Sequence, residues 1–248
     1  MNTESLKGKK ALVVGGSRGI GAAIVKGLAH EGAAVAFTYA NSRESAQSLV
    51  ASIETAGGRA TALHADSADA KALDGAVDRA AEALGGLDIL VNNAGILIHG
   101  NVADYSLADF DKMIAVNVRG VFVAAKAAAR HLPPGGKVIV IGSNTARRAM
   151  VPGAAVYGMT KAAVARLVHG LALDFAEKKI AVMDVQPGPT ETDMAPKDEA
   201  LRAWIANASP ERRIADADEI ARFVTYLASP RSTYINGVSL TIDGGFSA

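Results

Sequence analysis

Tyr157 and Lys161 stand four residues apart, a spacing that sets a phenol and an ammonium on one face of a helix. A free phenol ionises near pH ~10 and carries protons poorly at neutral pH, but a neighbouring positive charge favours the phenolate. The pair could therefore give and take a proton. Such pairs also arise in amphipathic helices that do no chemistry, so the spacing needs company. A second candidate is Gly15-Gly16-Ser17-Arg18-Gly19-Ile20-Gly21, which follows an apolar run and leads directly into a helical pattern. Glycines there let the backbone turn tightly and approach a pyrophosphate, whose charge would lie at a helix amino terminus. A plain turn between strand and helix has the same look; its place after the first apolar run favours the phosphate. Ser143 follows the run Lys137 to Ile141, at the carboxyl edge where parallel sheets collect ligands. Its hydroxyl could donate to a substrate oxygen, although a serine at a strand end is commonly a turn or cap residue. Asn117, in Val116-Asn117-Val118, is a mediocre helix former amid apolar neighbours, which implies a local polar task.

These groups need elements that bring them together. Short apolar runs recur at Ala11 to Val14, Ala33 to Tyr39, Ala60 to His64, Ile89 to Val91, Lys137 to Ile141, Ile180 to Val185 and Val238 to Ile242. Most are continuously apolar, as strands are when helices cover both sheet faces. Between them, Gly21 to Glu31, Ser42 to Ala56, Ala68 to Leu84 and Tyr157 to Glu177 carry helix formers at helical spacing. This rhythm predicts an α/β fold: a doubly wound, Rossmann-like parallel sheet of about seven strands with helices on both faces. No linker, repeat or charge block divides the chain, so one domain is expected over 1–248. The stretch around 189–215, with Pro189, Pro196, Trp204, Pro210 and a helical patch at Asp198 to Asn207, is expected to be a lid.

Half of the 248 residues are hydrophobic, enough for a sizeable core, and a formal charge of +1 provides no global field for nucleic acid or a membrane. The absence of cysteine excludes disulfides and thiolate chemistry. With a polar segment from Met1 to Lys10, it fits a cytoplasmic protein with no membrane segment. His30, His64, His99, His131 and His169 share no metal-ligand spacing. Met150, Met159, Met183 and Met194 read as packing groups or pocket walls, and Trp204 as either a pocket cap or a packing group.

In the usual nucleotide site, a carboxylate about twenty residues after the glycines bonds the ribose 2′-hydroxyl. Here the second apolar run ends at Tyr39, followed by Ala40, Asn41, Ser42 and Arg43, with no acid before Glu44. Arg18 and Arg43 could instead supply a planar donor fork to a 2′-phosphate, although loop arginines are more commonly solvated. The reading favours NADP(H) over NAD(H).

The glycines fall as G-x-x-x-G-x-G. Together with Asn92-Asn93-Ala94-Gly95 and the Tyr157/Lys161 pair, this resembles the short-chain dehydrogenase/reductases, from Gly8 to Asp243-Gly244-Gly245-Phe246. The resemblance implies a hydride exchanged between NADP(H) and a small carbonyl or alcohol substrate. It implies Tyr157 as proton donor, Lys161 as its charge partner, Ser143 as the catalytic serine and Asn117 as holder of a water leading from Lys161 to solvent. Cofactor contacts are expected from Gly15, Ser17, Arg18, Gly19, Ile20 and Gly21, and from Tyr39, Asn41, Ser42 and Arg43. Asp66 and Ser67, then Asn93, Ala94 and Gly95, then Pro187, Gly188, Thr190 and Thr192 complete that set, together with Tyr157 and Lys161. Two departures stand out: Val14 where relatives often have a threonine bracing the turn, and a gap of fourteen residues from Ser143 to Tyr157. A 3-oxoacyl thioester is one candidate substrate, yet the segment His131 to Gly136 lacks a strongly basic ending for an acyl-carrier protein and leaves mainly Lys126 and Arg130. A nucleotide-binding regulator without turnover is the alternative on the same fold. The broad apolar girth of the segment Tyr157 to Glu177 points to a homodimer or homotetramer built through helix contacts.

Overall fold

The computed structural model describes residues 5–149 and 151–248; Met1 to Glu4, and Met150 with any pocket role, lie outside the described residues. Seven strands form one parallel sheet: β1 (Lys10–Val14), β2 (Ala34–Tyr39), β3 (Arg59–His64), β4 (Ile89–Asn92), β5 (Lys137–Ile141), β6 (Ala181–Pro187) and β7 (Val238–Ile242). Their order is β3-β2-β1-β4-β5-β6-β7. The chain reverses its direction of growth between β1 and β4, and a crevice opens there at the carboxyl ends.

β1 shows why the strands are apolar throughout. Ala11 and Val13 enter one core with α1 (Gly19–His30), α2 (Arg43–Thr55) and α8 (Ala217–Ala228). Leu12 and Val14 enter the other, with α3 (Ala70–Leu84), α5 (Gly120–Ala128) and α6 (Ala155–Asp174). Side chains alternate sides along a strand, so two covered faces demand apolar residues at every position.

Local chemistry sets the helix ends. Asp69 caps α3 through Lys71 N and Ala72 N at 2.9 and 3.0 Å, and Gly85 ends it in the left-handed region at φ 71°. α6 begins two residues before Tyr157 and stops at Asp174, short of the expected Glu177; Lys179, at φ 54°, turns the chain towards β6. The helix expected around Asn117 is composite: α4 (Leu107–Ile114), a π-helical turn over Ala115–Arg119, then α5. A π turn adds a residue to the helical circuit and so re-aims the side chains within it.

The stretch at 189–215 leaves and rejoins the body at one place. Thr190 bridges to Ala215, Glu191 N donates to Ala215 O at 2.9 Å, and Ala215 N donates to Pro189 O at 3.1 Å. Between these ends lies α7 (Glu199–Ala208), whose amino terminus Asp198 caps through Leu201 N at 2.7 Å. Arg202 pairs with Glu191 and donates to Pro196 O, strapping α7 to the strand-side limb. Among the described residues, no helix is long and apolar enough to cross a membrane.

Candidate active site

A cavity of about 580 Å³ runs along the carboxyl ends of the strands. Its floor is the glycine turn after β1. Gly15 has φ +76°, and a Cβ there would lie 2.8 Å from Ala94 Cα; at Gly21 a Cβ would lie 2.2 Å from Gly15 O. Neither position accepts a side chain. Asn93 Nδ2 donates to Gly15 O at 2.6 Å, and Asn93 N and Ala94 N both donate to Val14 O. The two glycine-bearing turns are thus one hydrogen-bonded unit.

The brace that Val14 cannot provide comes from β2. Thr38 Oγ1 accepts from Gly15 N at 2.9 Å, and Thr38 O accepts from Gly16 N at 2.9 Å. The expected loss of a side-chain bond is therefore corrected: a threonine on the neighbouring strand supplies it. Only pairing in the sheet brings Thr38 to Gly15, since the two lie 23 residues apart.

No side chain caps the first turn of α1. Its free N–H groups and the uncrowded glycine backbone form a cradle suited to a pyrophosphate. Ser17, Arg18, Gly19 and Ile20 line the cavity, as do Tyr39, Asn41 and Ser42 after β2 and Asp66 and Ser67 after β3. Gly21 does not line it and instead packs beneath the turn. Arg43 is exposed as the first residue of α2, outside the lining. Arg18 lies at the rim and pairs with Asp193 at 3.3 Å. Asp193, which no spacing in the sequence singles out, is a carboxylate able to compete for that guanidinium.

Tyr157, Lys161 and Ser143 enter from the other half of the sheet. Tyr157, in the first turn of α6, lines the cavity. Lys161 is 5 % exposed; its Nζ donates to Ile141 O at 2.8 Å and lies 5.7 Å from the Tyr157 ring centroid. Ser143, just beyond β5, is buried, and its Oγ accepts from Thr145 Oγ1 at 2.9 Å and Thr145 N at 3.2 Å. That leaves the serine hydroxyl proton free for a ligand in the cavity. Thr145, which also lines the cavity, carried no signal in the sequence beyond its closeness to Ser143.

Asn117 is buried in the π turn and clamps a loop. Its Oδ1 accepts from Ile96 N at 2.8 Å, and its Nδ2 donates to Ile96 O at 2.9 Å and to Thr160 Oγ1 at 3.1 Å. Gly95 lies between Asn117 and Lys161: a Cβ there would be 3.4 Å from Lys161 Nζ and 3.6 Å from Asn117 Oδ1. Pro187, Gly188, Thr190 and Thr192 line the far wall. Thr190 Oγ1 donates to Gly188 O at 2.9 Å, whereas Thr192 Oγ1 only accepts, from Met194 N. Val151, Met194, Trp204, Ile205 and Phe246 give this end an apolar surround.

Residues 14–247 match a family model described as enoyl-(acyl carrier protein) reductase. Versicolorin reductase stcU of Emericella nidulans is 42 % identical, over 97 % of this chain and 96 % of its own. The cyclic-di-GMP-binding biofilm dispersal mediator protein of Escherichia coli K12 is 39 % identical, over 97 % and 98 %. Among solved structures, a short-chain dehydrogenase from Burkholderia cenocepacia in complex with NADP superposes with a TM-score of 0.96 at 50 % identity, covering 98 % of this chain and all of that one.

Proposed function

This chain belongs to the short-chain dehydrogenase/reductase family, and from that premise we propose that it is an NADPH-dependent reductase of apolar ketones. One observation carries the reading: Tyr157, with the Lys161 ammonium 5.7 Å from its ring, opens into the same cavity as an uncapped, glycine-lined helix start. The dihydronicotinamide, when bound, supplies the hydride. Glycine-turn N–H groups and the α1 amino terminus would hold its pyrophosphate, Arg18 would answer the 2′-phosphate, and Gly188 and Thr192 would hold the carboxamide end.

Reduction places negative charge on the carbonyl oxygen, and the chain must answer it with donors and a proton. Tyr157 delivers the proton and Ser143 donates a hydrogen bond to the same oxygen. Lys161, fixed by Ile141 O, favours the phenolate left behind. Asn117, held by Ile96 and Thr160, stands behind Lys161 where a water can pass the replacement proton.

The apolar surround favours a ring or alkyl ketone over a carrier-borne thioester. Arg130, one of the two basic groups near a docking face, is already engaged by Asp74 at 3.1 Å and Asp78 at 2.8 Å. Exposed Phe122 on α5 and Met159 and Leu173 on α6 support a dimer or tetramer through these helices. Sedimentation as a monomer would remove that part.

The name of the Escherichia coli relative keeps a nucleotide-binding regulator as the second reading. A panel of apolar ketones, acetoacetyl thioesters and alcohols, followed by the absorbance of NADPH, separates them. Ketone turnover that disappears in Tyr157→Phe supports the reductase, and nucleotide binding with no turnover across the panel selects the regulator.

A further inference from the structure

Asp184 is a fully buried acid that no step above uses. It sits in β6 between Val140 of β5 and Ser239 of β7, on the sheet face shared with Val182 and Val140, which pack in the core that includes α6. A carboxylate costs several kcal/mol to bury unless charges and donors answer it. Its Oδ2 accepts from Gln186 Nε2 at 2.8 Å, whereas Oδ1 has no hydrogen-bond partner among the described residues. A Cβ on Gly142 would lie 2.3 Å from that Oδ1, so the carboxyl rests against the backbone that leads into Ser143.

The titratable groups facing it come from α6, namely Lys161 and His169. Its neighbours on and just beyond β5 and on β7 include the uncharged Val140, Gly142 and Ser239. Burial holds the carboxyl above its ordinary range, and the Gln186 amide, the Ser239 hydroxyl, the Lys161 ammonium and the His169 ring offset only part of that. Gln186 Oε1 in turn accepts from Thr241 Oγ1 at 3.3 Å, and Thr241 Oγ1 accepts from Arg147 at 3.2 Å. A polar string therefore runs from the surface through the sheet edge to a carboxyl that rests against Gly142, the residue next to the Ile141 carbonyl that holds Lys161 Nζ.

The geometry points to Asp184 as a positioning residue, a buried counter-charge to Lys161 that sets the pH at which Tyr157 releases its proton. This rests on the reductase reading for its purpose but not for its test. A negative charge there offsets part of the pull that the ammonium exerts on the phenol. Removing that charge favours the phenolate, so Tyr157 must ionise at lower pH.

The test is an ultraviolet difference titration of the purified protein, with the Tyr157 signal taken as wild type minus Tyr157→Phe. Asp184→Asn is expected to move the midpoint down by about half to one pH unit. Gln186→Met, which removes the amide and leaves the acid, is expected to move it the same way by less, and it serves if Asp184→Asn does not fold. In a Lys161→Met background the starting midpoint should lie higher and Asp184→Asn should still lower it, because the fields of the two charges at the phenol add. A folded Asp184→Asn variant whose titration superposes on wild type overturns the proposal, as does a midpoint that moves up. No turnover enters the measurement, so a protein inert towards every ketone would sink the reductase reading while leaving this one decided on its own terms.

Discussion

The Arg18 guanidinium meets the Asp193 carboxylate at 3.3 Å, joining the glycine turn to the loop beyond β6 at the rim of the cavity. Both side chains are about two-thirds exposed, so the pair contributes at most ~1 kcal/mol and either partner is free to exchange. A 2′-phosphate offers Arg18 stronger, charge-assisted bonds and would release Asp193. Arg18→Ala is therefore expected to weaken NADPH binding by ~10- to 100-fold and NADH binding by no more than about threefold. Fluorescence titration with both cofactors checks this, and equal losses would remove Arg18 as the selector.

Tyr157→Phe deletes the hydroxyl proposed as proton donor and leaves the ring in place. Turnover should fall by at least ~10²-fold with cofactor affinity nearly unchanged. Steady-state rates beside binding titrations are the measurement, and near-normal turnover would end the mechanism.

Thr38→Val keeps the shape of β2 but strips the acceptor from Gly15 N. An unanswered N–H in the phosphate turn costs ~1–2 kcal/mol, which predicts roughly tenfold weaker binding of NADPH and NADH alike. The matched loss separates a turn-bracing role from the selective one assigned to Arg18.

Lys137 opens β5 with its ammonium buried, donating to Leu227 O at 2.7 Å, Ser229 O at 2.6 Å and Ser232 Oγ at 2.5 Å. Lys137→Met strands those acceptors and should cost ~2–4 kcal/mol in urea unfolding. Burial, with Lys9 nearby, pulls its pKa from 10.5 to about 8. Between those values the unfolded chain binds more protons than the folded one, so this group's contribution to stability rises with pH there. The gap between wild type and variant should widen from pH 8 to 10.5, and a constant gap would contradict the assignment.

The architecture and the central pair were legible because their signals are local. Apolar runs of strand length name β1 to β7, and a four-residue interval places Tyr157 above Lys161 on any helix. The π turn had no such sign: Val116-Asn117-Val118 reads as ordinary helix, and only the widened circuit turns Asn117 towards Ile96 and Thr160. Arg43 is exposed on the first turn of α2, next to Ser42 of the cavity wall but outside the lining itself.

By itself the chain determined its strand order of appearance, its glycine turn and the closeness of Tyr157 to Lys161, since these depend on side-chain volume and on spacing along a backbone of fixed geometry. Tertiary structure alone decided which distant groups became neighbours. Thr38 reached Gly15 through strand pairing, Asp193 reached Arg18 through the return of the loop after β6, and Asp184 came to rest against Gly142, on the sheet face that α6 covers. Such contacts belong to the packing of elements, and no interval counted along the sequence encodes the distance between two of them.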